Sequence, residues 1–226
     1  MASPDTLLEV RNLERRTRDG DVLLAGIDLT IRAGERWAIG GPTGAGKSLL
    51  LRSLALLDHS EGELLWRGRP VQPSEIPAYR SKVTYLAQNV AVIDGTVEDN
   101  LRLPLSLKQH HEASWPEDRI LDWCRRFQKD RSFLSRDSSD LSGGERQMVS
   151  LMRALIIEPT LLLVDEGTSA LDSKSVNVFE DMIDEWLHQQ SEDRAVVWVT
   201  HSQELTDRVA DRILSLEGGR MRETVA

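Results

Sequence analysis

The chain has 226 residues, 40% hydrophobic and 29% charged, with a formal net charge of −9; that length gives one large α/β domain or two small ones, and the acidic balance excludes a general basic field for nucleic-acid phosphates. The single cysteine, Cys124, excludes an internal disulfide. No run reaches the roughly 18–20 apolar residues of a membrane span, and MASPDTLLEV lacks the basic start and apolar stretch of a secretion signal, so the chain reads as cytosolic, reaching a membrane only through a partner.

The first third reads as strands. Residues 7–13 and 22–31 are Leu-rich or β-branched and are separated by Arg18-Asp19-Gly20-Asp21, a turn sequence. Arg15, Arg16 and Arg18 form the one local basic run, read as a solvated turn. Residues 36–40 make a short apolar strand that runs straight into glycines. Helical character follows over 49–57, then strand over 62–66 and again over 82–87. From 89 to 140 strand signals vanish and amphipathic helical ones replace them. Residues 116–127 are predicted helical, with Pro116 in the first turn and Ile120, Leu121, Trp123, Cys124 and Phe127 on one apolar face. A long helix is expected after Gly144, a strand over 161–164, a helix over 173–190 and a strand over 195–200. Strands alternating with helices predict a parallel sheet. With no internal repeat or low-complexity linker, 89–140 reads as an insertion into one α/β domain.

Gly41-Pro42-Thr43-Gly44-Ala45-Gly46-Lys47-Ser48 fits the phosphate-loop pattern in full, with a strand before it and an apolar helix after it. Small residues let backbone N–H groups point at phosphate oxygens without a Cβ in the way. The helix opening at Lys47 aims its positive end at the same place. Lys47 is expected to contact the β- and γ-phosphates, and the Ser48 hydroxyl to hold Mg²⁺. Such a loop needs a second Mg²⁺-side acid at the end of a neighbouring strand. The run Leu161-Leu162-Leu163-Val164 reads as fully buried strand and ends at Asp165 and Glu166. Asp165 is the expected Mg²⁺-side carboxylate, and Glu166 is placed to polarise an attacking water.

Leu141-Ser142-Gly143-Gly144-Glu145-Arg146-Gln147 supplies a second anion site: a serine and two glycines opening a helix. The same residues can form a capping box, with Ser142 capping and Glu145 three residues later. With this motif the chain resembles the ATP-binding cassette ATPases, whose signature is LSGGQ or LSGGE. The resemblance covers essentially the whole chain. Gln88 matches that family's Q-loop glutamine, which links Mg²⁺ and nucleotide to the helical subdomain. Ser169-Ala170-Leu171-Asp172 matches the D-loop, and His201 matches the switch histidine that contacts the γ-phosphate.

The resemblance implies a phosphate-loop NTPase fold: an N-terminal antiparallel β region, a parallel-sheet core over 1–88 and 141–226, and an inserted helical subdomain over 89–140. It implies ATP and Mg²⁺ as cofactors, with Ser48, Gln88 and Asp165 on the metal and Lys47, Gln88, Glu166 and His201 in catalysis. It also implies a head-to-tail homodimer, in which Ser142, Gly143 and Gly144 of one subunit serve the nucleotide held by the other's phosphate loop. The sequence departs from the family at three places. Residues 14–18 hold no aromatic to stack on adenine, so Arg16 or Arg18 is expected to stack its guanidinium there instead. Gly167 replaces a common proline and Met148 a common arginine.

A chromosome-type head would interrupt the cassette with a long coiled coil, and translation-factor relatives carry two cassettes in one chain; neither feature is present. The favoured expectation is therefore the ATPase subunit of a transporter. It would sit on the cytoplasmic face of the inner membrane, bind a separate integral-membrane permease and bind no nucleic acid. The alternative is an ABC ATPase of DNA repair or translation. Tyr79-Arg80, 83–88, 95–101 and 196–201 look like the bacterial Fet/Ybb-type ATP-binding proteins, a group associated with iron export. The tandem His110-His111 lies in a polar stretch with no pattern completing a metal site.

Overall fold

The computed structural model describes residues 5–110 and 113–224. His111 lies outside them, so the histidine tandem is not seen as a pair. Two compact units divide the chain. The first runs to Tyr85 and adds Thr160–Glu166 and the stretch from Leu187 onward; the second comprises Leu86–Pro159 and Gly167–Trp186.

In the first unit β1 (Thr6–Arg16) pairs antiparallel with β2 (Val22–Arg32) and with β4 (Glu61–Trp66), and β4 carries the short β5 (Arg69–Pro70), in the order β2-β1-β4-β5. A second sheet has the order β10-β9-β3-β8-β7-β6. Its centre is parallel: β3 (Arg36–Gly40) lies between β8 (Ala195–Val199) and β9 (Arg212–Glu217), and β8 pairs onward with β7 (Leu161–Asp165). The edges are β6 (Val83–Leu86) and β10 (Arg220–Thr224), the latter antiparallel to β9. Every residue of β7 and of β8 is buried, as a run of consecutive apolar residues dictates for strands covered on both faces. One apolar cluster joins both sheets to the helix after the phosphate loop, through residues such as Leu8, Ile27, Ile39, Leu50, Leu54, Leu163 and Val197.

That helix, α1 (Lys47–Leu54), stops sooner than its apolar pattern predicts. Leu56 adopts a left-handed φ of 53°. Its N–H donates to Ser53 O at 3.0 Å while that of Leu57 donates to Arg52 O at 2.9 Å, a Schellman-type end that closes the helix. A five-residue α2 (Ile76–Arg80) precedes β6.

The second unit carries α3 (Val97–Arg102), α4 (Glu117–Arg126), several 3₁₀ turns, α5 (Gly143–Leu155) and most of α6 (Ser173–Gln189). Its described residues between 89 and 140 form helices, turns and one isolated bridge. Pro116 stands outside α4, as its N-cap, with ψ of 68° rather than a helical value. Ile120, Trp123, Cys124 and Phe127 are buried, while Leu121 is only half-buried, because the buried stripe runs at spacings of three and four and Leu121 falls beside it. The C-terminal hairpin β9–β10, turning at Gly218-Gly219, and α7 (Gln203–Val209) complete the first unit beyond the elements expected from sequence.

Candidate functional site

The segment Gly41–Ser48 joins β3 to α1. Pro42, Thr43 and Gly44 are exposed, whereas Ala45 is buried and Gly46 is the N-cap of α1. Gly41 has a φ of 134°, and a Cβ there would lie 2.1 Å from Leu216 O. Only glycine lets the loop leave β3 this close to β9. Lys47 is buried and folds back over its own loop, donating to Gly41 O at 2.8 Å and Pro42 O at 3.0 Å. Burial pushes its ammonium pKa down, and the nearby charges of Glu166 and Asp165 oppose that shift.

Asp165 ends β7 and is 2% exposed. Its Oδ1 accepts from the Ser48 hydroxyl at 3.0 Å and its Oδ2 from the Tyr85 hydroxyl at 2.7 Å. Burial first, and then Asp165 itself, raise the Tyr85 phenol pKa, so it stays a donor. A hydroxyl and a carboxylate are hard oxygen donors, and together they suit Mg²⁺, which takes one or two protein ligands alongside substrate phosphate and water. Among the described residues no group of three or more His, Cys, Asp or Glu side chains could hold a metal by itself.

Glu166, the next residue, has a left-handed φ of 48°. Its N–H donates to Val199 O at 3.0 Å, and its Oε1 lies 2.8 Å from His201 Nε2. A non-glycine residue in that region costs free energy, and such residues cluster at working sites. The turn out of β7 thus swings the Glu166 carboxylate to the C-terminal end of β8, where His201 follows the strand. Lys47, Ser48, Asp165, Glu166 and His201 therefore gather in the first unit, at the ends of three neighbouring parallel strands, where α/β sheets bind ligands.

In the second unit, Ser142 caps α5 by the predicted box: its hydroxyl accepts from Glu145 N at 3.2 Å, and its N–H donates to Glu145 Oε2 at 3.0 Å. Ser142 and Gly143 are exposed, Gly144 half-buried. A Cβ on Gly144 would come within 2.8 Å of Ala170 O. Gln147, unforeseen in the sequence, holds the segment after β7 against this helix: its Nε2 donates to Ser169 Oγ at 3.1 Å and its Oε1 accepts from Ala170 N at 3.0 Å. Glu145 is buried and also accepts from Lys129 at 2.7 Å and Arg136 at 2.6 Å. Burial alone would raise its pKa, but these two cations and the Ser142 N–H hold it at about 2. Gln88, exposed two residues past β6, belongs to this unit as well.

The basic run is not uniformly solvated. Arg15 is mostly buried and donates to Asp58 at 2.6 Å, since Asp58, in the stretch that follows α1, also draws in Arg52. Arg52 and Arg15 together hold the Asp58 pKa at about 2. Arg16 lies exposed between Glu14, 3.3 Å away, and Gly20 O, and Arg18 is exposed. Tyr85 was equally unforeseen as a site residue. Its position on the strand preceding Gln88 was the available signal, but sequence alone did not reveal that β6 adjoins β7.

Comparison with known proteins places these features in a family. The model of the ABC transporter family matches residues 24–169. "Probable iron export ATP-binding protein FetA" of Escherichia coli (strain K12) is 36% identical over 227 residues, covering 99% of this chain and 97% of that protein. "Sulfate/thiosulfate import ATP-binding protein CysA" of Xylella fastidiosa (strain 9a5c) is 37% identical, but this chain covers only 58% of its length. Among solved structures, an ATP-binding cassette described as a dimer in a post-hydrolysis state with ADP and Pi superposes with a TM-score of 0.81 at 27% identity, covering 96% of this chain and 98% of that one.

Proposed function

The chain belongs to the ABC transporter family as an ATP-hydrolysing, ATP-binding subunit, and from that premise we propose that it energises a separate permease that exports iron or a related metal ion. The observation that carries the hydrolytic half is the strained Glu166, 2.8 Å from His201, beside the Ser48–Asp165 pair. In this reading the phosphate loop and Lys47 hold the β- and γ-phosphates, and Glu166 takes up a proton of the attacking water as its oxygen joins the γ-phosphorus. The bond to the β-phosphate oxygen breaks, and ADP and phosphate leave. His201 steadies Glu166 and faces the γ-phosphate. Ser48 and Asp165 would hold Mg²⁺, which supplies charge neutralisation on the phosphates when bound.

The exposed Ser142 and Gly143 have no nucleotide of their own to serve within this reading; a second copy presents them, with Gly144, to the γ-phosphate held by the first. The dimeric cassette among the structural relatives supports that arrangement. No helix among the described residues is long and apolar enough to cross a membrane. In this reading the transport path belongs to the permease, and the ATPase sits peripherally on the cytoplasmic face. The named relatives are ATP-binding proteins of import and export systems, which favours transport over DNA repair or translation. Export of a metal rests on a relative that matches over nearly its whole length.

Retrieval of the tagged chain from detergent-solubilised membranes tests the partner. A multi-span permease is the expected companion; a DNA-repair or ribosome-associated protein in its place overturns the transport reading. Cells lacking the chain are expected to retain more iron after iron loading, and unchanged retention removes the cargo assignment.

A further inference from the structure

Both oxygens of the Asp165 carboxylate are engaged, by two hydroxyls of different origin. Oδ1 faces Ser48 of the phosphate loop at 3.0 Å, and Oδ2 faces Tyr85 of the edge strand β6 at 2.7 Å. At 2% exposure the carboxylate has no bulk water to orient it, so its plane is set by these two bonds. The phenol is itself anchored. Arg52 lies four residues after Ser48 on α1, hence on the same helical face, and it interacts with the Tyr85 oxygen. Asp58 grips that guanidinium with two bonds, at 2.6 and 3.0 Å. One face of α1 therefore presents a loop hydroxyl to Oδ1 and steadies the phenol that serves Oδ2.

We propose that Tyr85 is a positioning residue whose hydroxyl fixes the Asp165 carboxylate for the divalent cation that accompanies the nucleotide. The proposal rests on the reading of Asp165 as the cation-side acid. Partners that hydrogen-bond a ligating carboxylate fix its orientation, and their loss costs about 10–100-fold in metal affinity or activity. Tyr85→Phe removes the hydroxyl and keeps the ring that fills the site.

The test is Mn²⁺ binding in the presence of ADP, followed by loss of the free-Mn²⁺ paramagnetic resonance signal relative to ADP alone. It is run on wild type, Tyr85→Phe and Asp165→Asn, with ADP binding in EDTA measured in parallel. Tyr85→Phe is expected to weaken Mn²⁺ binding about tenfold or more, to leave metal-free ADP binding unchanged, and to raise the Mg²⁺ concentration needed for half-maximal hydrolysis. Weakened binding in Asp165→Asn with wild-type binding in Tyr85→Phe overturns the role of Tyr85 alone. Wild-type binding in Asp165→Asn overturns the underlying reading and the proposal with it. Loss of metal-free ADP binding in Tyr85→Phe makes the hydroxyl a support of the loop itself, and also overturns the proposal.

Discussion

His201 Nε2 lies 2.8 Å from Glu166 Oε1, and Glu166 reaches it only because its backbone turns left-handed immediately after β7. The histidine holds the carboxylate from the neighbouring strand end. His201→Ala leaves the phosphate loop intact and removes this contact from Glu166. Hydrolysis is expected to fall by about 10²-fold or more, the range for loss of an aligned general base, with ATP affinity unchanged. Single-turnover hydrolysis alongside equilibrium ATP binding checks this; equal losses in both would mean that His201 supports binding rather than the reacting geometry.

Gly144 faces Ala170 O so closely that a Cβ would sit 2.8 Å from it. Backbone oxygen cannot yield as a flexible side chain would, so Gly144→Ala must separate the signature turn from the segment after β7. ATP binding by the phosphate loop of the same chain is expected to survive. Steady-state hydrolysis, which on the dimer reading needs the signature, is expected to fall at least about tenfold, equivalent to about 1.4 kcal/mol in the barrier. Unchanged hydrolysis would detach the signature from catalysis.

Glu145 links the cap of α5 to Lys129 and Arg136. Its pKa, held at about 2 against an ordinary 4.5, carries a definite sign. The depressed carboxylate contributes stability above pH 4.5, and that contribution fades as pH falls from 4.5 through about 2. Glu145→Gln keeps an acceptor for the Ser142 N–H and loses both ion pairs. At pH 7 it is expected to destabilise the fold by about 1–3 kcal/mol, the usual loss for a buried charged hydrogen bond. The gap from wild type should narrow below pH 4.5 and close near pH 2. Chemical unfolding of both proteins across pH 2–7, a range chosen about these values, measures it; a gap independent of pH would exclude ionisation of Glu145 as its origin.

Neither Arg16 nor Arg18 is buried, and Arg16 contacts Glu14 and Gly20 O at the end of β1. Either guanidinium is free enough to cover a base. If one stacks on adenine, Arg16→Ala or Arg18→Ala should weaken ATP by roughly tenfold or less, a cation–π contribution of about 0.5–1 kcal/mol at an exposed site, and change the ATP-to-GTP ratio. Titration with both nucleotides decides it, and unchanged affinities in both variants remove stacking from the account.

How much of this was legible in the sequence depends on how local the cause is. The buried run Leu161–Asp165 announces a covered strand by composition alone, and the glycines before Lys47 announce their loop. The capping box at Ser142 needs only residues three apart, and it forms as read. Leu56 is different: nothing about a leucine predicts a left-handed φ, so the early end of α1 was hidden. The hairpin at Gly218-Gly219 carries a recognisable turn pair, but its strands are short and half-polar, and they gain their stability from β3 beside them. Tyr85 and Gln147 acquire meaning only from partners 80 and 22 residues away, a distance over which periodicity carries no information. The burial of Arg15 is hidden for the same reason, since Asp58 is 43 residues on.

On the dimer reading two copies enclose ATP, each phosphate loop facing the other's signature. Glu166→Gln removes the base while keeping its shape, so ATP should remain bound and the closed pair should persist. Light scattering of this variant with ATP and Mg²⁺ is predicted to give twice the 25.5 kDa chain mass, reverting to the single chain when ATP is withdrawn. A mass that stays at 25.5 kDa while ATP is demonstrably bound would contradict the shared site.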